Sequence, residues 1–474
     1  MNMKRYGAIR GKRSVLAVWA SLGALAVGLL LTAAGSDFGA LRSSRPLKRQ
    51  PASAPQLVSI QPLPSAEGEM CEWMPASASL SLALQQGAAG VASAAVPGSS
   101  ADVETAKRRP LRVIHDAYPS YSAVAVDVTH NEVVLQDENL FQILVYDRLA
   151  NTPPTASMTE PKRVIAGEHT KLEFNCGLYV DPQTGDIYSV NNDTMDTMTI
   201  FSRDAKGNVP PTRQLSTPHG TFGIGINEER QEMFFTVEHS SSIVVYPKNA
   251  VNEDLPLRHI QGNQTRLADP HGIALDTKNN LIFVGNFGSM KEFAAAEAGT
   301  SQSQAAPGTG LPRGRAKPGY GKIRPSSITV YPMTAQGDVP PLRVIEGSKT
   351  RLNWPVGMTV DSDRGELFVA NDAADEILVF RSDASGDVAP TRILKGPRTG
   401  IKNPTGLFLD KKNNELWVTN FGNHTATVYR LTADGDTPPL RTIRSGPLEE
   451  PALMIGNPGS VAYDSKREQI LVPN

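Results

Sequence analysis

Side chains that carry oxygen recur at one position of a repeated four-strand pattern, where the second strand of each repeat ends. The residues that occupy this position are Asp137, Asn191, Asn286, Asn371, Asn420 and Asn474, and in the third repeat the register leaves either Val237 or Glu238. Neighbouring strands alternate in direction, so we expect this position to face the mouth of a central channel. A ring of amides with one or two carboxylates could bind a hard divalent cation, but asparagine at a strand end also caps a turn.

Three histidines are predicted on the same face. His271 begins a first strand, His239 follows a second strand, and His219 precedes a first strand. Together they could form a zinc site, although no closely spaced histidine pair supports it and a surface or turn role is the simpler interpretation. The chain has no Gly-x-Ser-x-Gly, Cys-x-x-Cys, Walker or dinucleotide-binding motif.

These positions belong to a repeat that runs from about residue 110 to the end of the sequence. One copy reads Trp354-Pro-Val-Gly-Met-Thr-Val-Asp361, then Glu366-Leu-Phe-Val-Ala-Asn371, then Ile377-Leu-Val-Phe380, and its fourth strand contains Arg392. Each copy has four short β-type runs separated by turn residues. A single sheet of this kind has two apolar faces, and a closed ring of sheets covers both of them. The repeat therefore predicts an all-β protein, a β-propeller of four-stranded blades preceded by one hydrophobic helix.

The strand count predicts about seven blades. Six copies are complete, from about residue 121 to 443, and the last copy stops after its second strand. We expect the partial seventh blade, residues 459–474, to be completed by an N-terminal strand at residues 111–114. The same count also fits a chain cut short after Asn474. The arginine in each fourth strand is expected at the outer edge, where charge opposes edge-to-edge association.

The strand Leu367-Phe-Val-Ala-Asn371, the entry Pro-x-Gly-(apolar)-x-x-Asp and the third strand Ile-x-Val-Phe resemble NHL-repeat and YVTN (lactonase-like) bacterial propellers over residues 110–474. Such families include lactone hydrolases, an amidating lyase and interaction scaffolds, so the resemblance implies architecture more than activity. The lactone-hydrolysing members hold a metal at this kind of place, and the resemblance therefore implies a calcium or zinc site formed by the matching residues Asp137, Asn191, Glu238 and Asn286.

The N-terminal part differs in composition. Residues 1–13 are basic, residues 14–36 are uncharged and long enough to span a membrane, and residues 37–106 form an Ala/Ser/Pro/Gly-rich linker expected to be disordered. The sequence thus predicts a propeller at residues 107–474, outside the cytoplasm on a single-pass inner-membrane anchor. Cleavage of a signal peptide and secretion is the alternative.

Residues 288–325 form a basic low-complexity insertion, expected between the second and third strands of blade 4. A disordered loop and a partner-binding arm are both compatible with it. The formal net charge is −1, which favours no nucleic-acid partner, and we expect a monomer.

A binding scaffold for an unknown protein or small molecule is the function that the regular repeat favours. Its expected binding residues at the channel mouth are Asp137, Asn191, Glu238, His271, Asn286, Asn371 and Asn420. The alternative is a metal-dependent lactone or ester hydrolase with Glu238 as the base. A lyase or oxidoreductase with another cofactor remains a third hypothesis.

Overall fold

The computed structural model describes residues 116–192, 195–291, 293, 322–453, 462–464 and 469–471. These residues form six four-stranded antiparallel sheets, and in each sheet the strands pair in chain order from the first to the fourth. First strands lie beside first strands of neighbouring blades, and fourth strands form the outer edges. The predicted β-propeller and its six complete blades are confirmed.

The strands follow the predicted repeat closely. In the first three blades they are β1 (Tyr121–Asp127), β2 (Glu132–Asp137), β3 (Gln142–Asp147), β4 (Arg163–Ala166), β5 (Asn175–Val180), β6 (Ile187–Asn191), β7 (Thr197–Phe201), β8 (Arg213–Ser216), β9 (Thr221–Asn227), β10 (Glu232–Val237), β11 (Ser242–Pro247) and β12 (Arg258–Gln261). In blades 4 to 6 they are β13 (Pro270–Asp276), β14 (Leu281–Asn286), β17 (Ser327–Pro332), β18 (Arg343–Glu346), β19 (Pro355–Asp361), β20 (Glu366–Asn371), β21 (Glu376–Arg381), β22 (Arg392–Leu394), β23 (Pro404–Asp410), β24 (Glu415–Asn420), β25 (Thr425–Arg430) and β26 (Arg441–Arg444).

Short elements lie outside the blade sheets. The two-stranded pairs are β15 (Ser289–Met290) with β16 (Lys322–Ile323), and β27 (Ala462–Asp464) with β28 (Gln469–Leu471). The 3-10 helices are Glu168–Thr170, Ser348–Thr350, Asp372–Ala374 and Phe421–Asn423. Strand β15 follows the second strand of blade 4, and β16 precedes its third strand. This is where the insertion is expected.

The apolar core lies between neighbouring blades. Tyr188 and Val190 of blade 2, for example, share one buried cluster with Met233 and Phe235 of blade 3. Both faces of a middle strand are covered in this way, so its sequence is apolar nearly throughout instead of alternating. Packing between sheets, not within one sheet, therefore supplies most of the apolar burial that stabilises the ring.

Blade 6 packs directly on blade 1. Trp417 and Val428 share a buried cluster with Tyr121 and Val124, and Thr405 Oγ1 donates a hydrogen bond of 2.8 Å to Tyr121 O. The expectation of a partial seventh blade between the two ends is therefore wrong, and β27 and β28 form a separate pair. The expected strand at residues 111–114 lies outside the described residues.

Glycine lets the inner strands of neighbouring blades approach closely. The third residue of the first strand is glycine in blades 2 to 6 and Ala123 in blade 1. A Cβ placed on Gly177 would lie 2.5 Å from Phe222 O of the next blade, and one on Gly272 would overlap Val356 O. The Pro-x-Gly motif thus permits the close approach of inner strands, and residues of all six first strands line one small cavity on the axis.

The fourth-strand arginines form ion pairs within the blades and do not simply project from the outer edge. In four blades the guanidinium binds the glutamate that begins the second strand: the pairs are Arg163–Glu132, Arg258–Glu232, Arg392–Glu366 and Arg441–Glu415, each at 2.8 Å. Three of these arginines also lie over a second-strand aromatic ring, as Arg441 does over Trp417. The interpretation as edge charges misses this pairing.

The predicted segments 1–13, 14–36 and 37–106 lie outside the described residues. Among the residues that the structure describes, no helix has the length and hydropathy needed to span a membrane.

Candidate functional site

The asparagines that end the second strands are fully buried and hold their own blades together. Asn371 Oδ1 accepts a hydrogen bond from Asn353 N at 2.6 Å, and its Nδ2 donates to Arg351 O and Glu376 Oε1 at 2.9 Å each. The other members of this set make equivalent bonds to the segment before the first strand or to the third strand: they are Asn191, Asn286 and Asn420. We call these strand-end residues, with Asp137 and Val237, the latch ring.

Asp137 takes the same position in blade 1, but its side chain only accepts hydrogen bonds, so the bond to the third strand is reversed. Its carboxyl oxygens accept bonds from Ser120 N at 2.7 Å, Asn139 N at 3.0 Å and Gln142 Nε2 at 2.8 Å. Burial raises the pKa of Asp137 to about 7, against these bonds. A donor, Gln142, thus replaces the acceptors that begin the third strands of other blades.

The metal set implied by the resemblance does not fit this geometry. Asp137, Asn191 and Asn286 use their side-chain oxygens for main-chain N–H groups of their own blades. A cation could displace those bonds only by leaving buried donors unsatisfied, which is costly. Glu238 is the exception, because Val237 occupies the latch position of blade 3.

One residue further along, a second ring faces the mouth. This exit ring consists of the residues that follow the second strands: Glu138, Asn192, Glu238, Phe287, Asp372 and Phe421. The entry ring consists of the residues that precede the first strands: Ser120, Phe174, Gly220, Asp269, Trp354 and Asn403. In every blade the exit residue donates its N–H to the carbonyl oxygen of the entry residue, at 2.8–3.1 Å. The backbone is therefore uniform where the side chains vary.

Exit residues contact entry residues of the following blade. Phe287 of blade 4 stacks on Trp354 of blade 5 with centroids 5.0 Å apart. Burial raises the pKa of Asp372 in blade 5 to about 6, opposed by a side-chain hydrogen bond with Asn403 of blade 6. The pair formed by blades 3 and 4 is Glu238 with Asp269, which together with His271 can offer ligand atoms within 4.8 Å of one another.

Glu238 is at the centre of this group. Its Oε1 accepts a hydrogen bond from Asn192 Nδ2 at 2.7 Å. Its Oε2 lies 3.7 Å from His271 Nε2 and 3.8 Å from His239 Nε2. The Glu238 side chain is only 10% exposed, so a carboxylate and two imidazoles meet in a place with little solvent.

His271 is fixed by its neighbours. Its Nδ1 lies 3.0 Å from Asp269 O, and a carbonyl can only accept, so Nδ1 carries the hydrogen. The ring stacks on Phe287 at 3.5 Å and lies 4.5 Å from Phe222. Nε2 lies on the side of Glu238, 3.7 Å from its Oε2.

The three histidines of the predicted zinc site do gather here, at different depths. The His219 and His239 rings lie 4.7 Å apart, but His219 Nδ1 pairs with Asp196 Oδ1 at 2.9 Å, where both side chains are nearly half exposed. His219 thus lies at the rim, whereas His271 lies inside.

Asp269, Phe287 and Trp354 were missed by the sequence interpretation. Asp269 and Trp354 have left-handed backbones, with φ of 56° and 58°, an unusual conformation for a large side chain. Their position in the sequence was the available signal, because Asp269 and Trp354 each directly precede a Pro-x-Gly motif.

Charge near the pair is mixed. Lys291 follows the exit from blade 4, and burial lowers its pKa while attraction to Asp269 opposes that shift. Chemically, the group can bind a cation through oxygen and nitrogen, or accept a proton on Glu238 or His271.

Comparisons with known proteins identify no family for this chain. No protein-family model matches the chain, and no curated protein matches it. A solved structure titled Kuenenia stuttgartiensis hydrazine synthase is similar at 12% identity and a TM-score of 0.42, over 69% of this chain and 100% of that chain. A likeness at this level carries no argument about function.

Proposed function

We propose that the chain is a ligand-binding propeller whose binding face is formed by the exit and entry rings. The observation that supports this is the variety of side chains on a uniform backbone. The exit ring alone contains Phe287, Asp372, Asn192 and Glu238 at equivalent positions. Residues that only hold a repeat together stay alike, whereas a binding surface differs from blade to blade.

The NHL-like or YVTN-like assignment belongs to this proposal, supported by the Pro-x-Gly entries and their packing role. So does placement outside the cytoplasm, supported by the uncharged run at residues 14–36 that follows a basic segment. The partner would then be an extracytoplasmic protein or small molecule.

Site-specific photo-crosslinking in the producing cells tests the binding face. A benzophenone amino acid replaces Phe421, in the exit ring, or Lys412, at the opposite end of the same second strand. Mass spectrometry of the intact protein should show a discrete adduct for the variant at Phe421 and none for the variant at Lys412. The same adducts from both positions, or adducts from Lys412 alone, would sink the proposal.

A metal-dependent hydrolase is the second candidate. It is favoured by Glu238, a largely buried carboxylate within 4 Å of two imidazole nitrogens, because such a group can serve as a general base. Hydrolysis of aryl esters and γ-lactones that is lost in Glu238→Gln would favour this candidate, whereas activity that survives the substitution would exclude Glu238 as the base.

A further inference from the structure

We propose that Glu238, Asp269 and His271 bind one divalent transition-metal cation, of the zinc type, at the mouth between blades 3 and 4. The inference deepens the proposed function, because it places a cation inside the proposed binding face. It differs from the metal set implied by the resemblance, of which it keeps Glu238 alone.

The three ligand atoms are close enough for one small cation to draw them together, and the edge between Glu238 and His271 is already nearly short enough. Glu238 Oε2 and His271 Nε2 lie 3.7 Å apart, and all three residues can offer ligand atoms within 4.8 Å of one another. Tetrahedral zinc with bonds of 2.0–2.1 Å places its ligand atoms about 3.3 Å apart. The Glu238–His271 edge thus needs a shift of only a few tenths of an ångström.

Neighbouring groups already orient the ligands. The hydrogen bond from His271 Nδ1 to Asp269 O leaves Nε2 as the coordinating atom, the arrangement usual for metal-bound histidine. Asn192 donates a hydrogen bond to Glu238 Oε1 and so fixes the orientation of the carboxylate. Stacking on Phe287 prevents rotation of the imidazole ring. A site with its ligands already oriented loses less entropy on binding.

The choice of metal follows from the donors. An imidazole nitrogen with carboxylate oxygens suits zinc, manganese or cobalt, whereas calcium prefers oxygen alone. Three protein ligands leave at least one position for water or a ligand atom. His239 Nε2 lies 3.8 Å from Glu238 Oε2, close to the three ligands.

The position in the ring is also specific. Of the six pairs made by an exit residue and the next blade's entry residue, only Glu238 with Asp269 consists of two carboxylates. Two carboxylates and one imidazole form a donor set that suits a divalent transition metal. Lys291 supplies part of the positive charge, so its removal should strengthen metal binding.

The test is titration of the full chain, without a metal-binding tag, with Zn²⁺, Co²⁺ and Ca²⁺ in a calorimeter, together with the visible spectrum of the Co²⁺ form. Glu238→Gln keeps the shape of the side chain, and His271→Phe keeps the aromatic packing. The matched control is His130→Phe, which removes another histidine–carboxylate pair, with Asp127 at 2.7 Å on the opposite face. Lys291→Met tests the electrostatic argument.

We expect one equivalent of Zn²⁺ or Co²⁺, weak binding of Ca²⁺, and an affinity reduced at least about 100-fold in Glu238→Gln and His271→Phe. His130→Phe should match the wild type, and Lys291→Met should bind more tightly. Absence of Zn²⁺ and Co²⁺ binding, or binding that both site variants retain, would overturn the inference. If the chain binds the metal but the photo-crosslinking gives no adducts, the metal site would stand and the proposed binding face would be contradicted.

Discussion

Replacement of Asn371 by alanine tests whether the strand-end asparagines stabilise their blades or bind a metal ion. The substitution removes three hydrogen bonds of a fully buried side chain, to Asn353 N, Arg351 O and Glu376 Oε1. Each such bond contributes about 1 kcal/mol, and a buried partner left unsatisfied costs at least as much. The free energy of unfolding should therefore fall by about 3 kcal/mol.

This loss is measurable as a change in melting temperature. An unfolding entropy of about 2 cal/mol/K per residue over roughly 300 folded residues converts 3 kcal/mol into a shift of about 5 °C. Thermal unfolding of the full chain, followed by circular dichroism, provides the assay. Lys412→Ala, on an exposed turn of the next blade, is the control and should melt within about 1 °C of the wild type.

Zinc titration of the same variant makes the result decisive. Asn371 lies in blade 5, away from Glu238, so Asn371→Ala should bind Zn²⁺ like the wild type. If the variant melts like the wild type but binds Zn²⁺ more weakly, then the strand-end asparagines are ligands and the argument for a latch is wrong.

Two further predictions test packing and protonation. Gly272→Ala should destabilise the ring by about 1–3 kcal/mol because its Cβ would overlap Val356 O. Ala123→Gly, which introduces glycine at the matching position of blade 1, should cost less than about 1 kcal/mol. Similar losses in melting temperature for the two variants would contradict the argument that glycine permits the close approach. Burial raises the pKa of Asp137 to about 7, so between about pH 4 and 7 the folded state holds one proton more than the unfolded state. As the pH rises through that window, the free energy of unfolding should fall by up to about 4 kcal/mol, and above it the value should level off. Urea unfolding at several pH values should show a flatter profile for Asp137→Asn, and an unchanged slope would refute the assignment.

The repeat made the architecture predictable but not the number of blades. Hydrophobic runs with turn residues at a constant period indicate a propeller blade whatever the ring size. Ring closure depends on how the two end blades pack, and here blade 6 packs directly on blade 1. The glycine at the third position of the first strand permits close approach, but that role appears only once the facing carbonyl, such as Phe222 O beside Gly177, is located.

The sequence placed the strand-end asparagines, Glu238 and His271 at one mouth, and the structure separates their roles. The asparagines bond within their own blades, whereas Glu238 and His271 lie next to each other at blades 3 and 4. In blade 3 the register uncertainty between Val237 and Glu238 was the visible sign of this distinction. Asp269 was not predictable from residue type, because its role depends on the blade that precedes it.

The exit and entry rings suggest why a site forms at this interface and not at the others. Each pair joins side chains from two blades over an identical backbone, so a substitution at either position changes surface chemistry without disturbing the latch. Phe287 with Trp354 gives an apolar contact, and Asp372 with Asn403 a polar one. Glu238 with Asp269 combines two acids next to His271. An arrangement that recurs in no other pair of the described rings is better explained by binding than by folding.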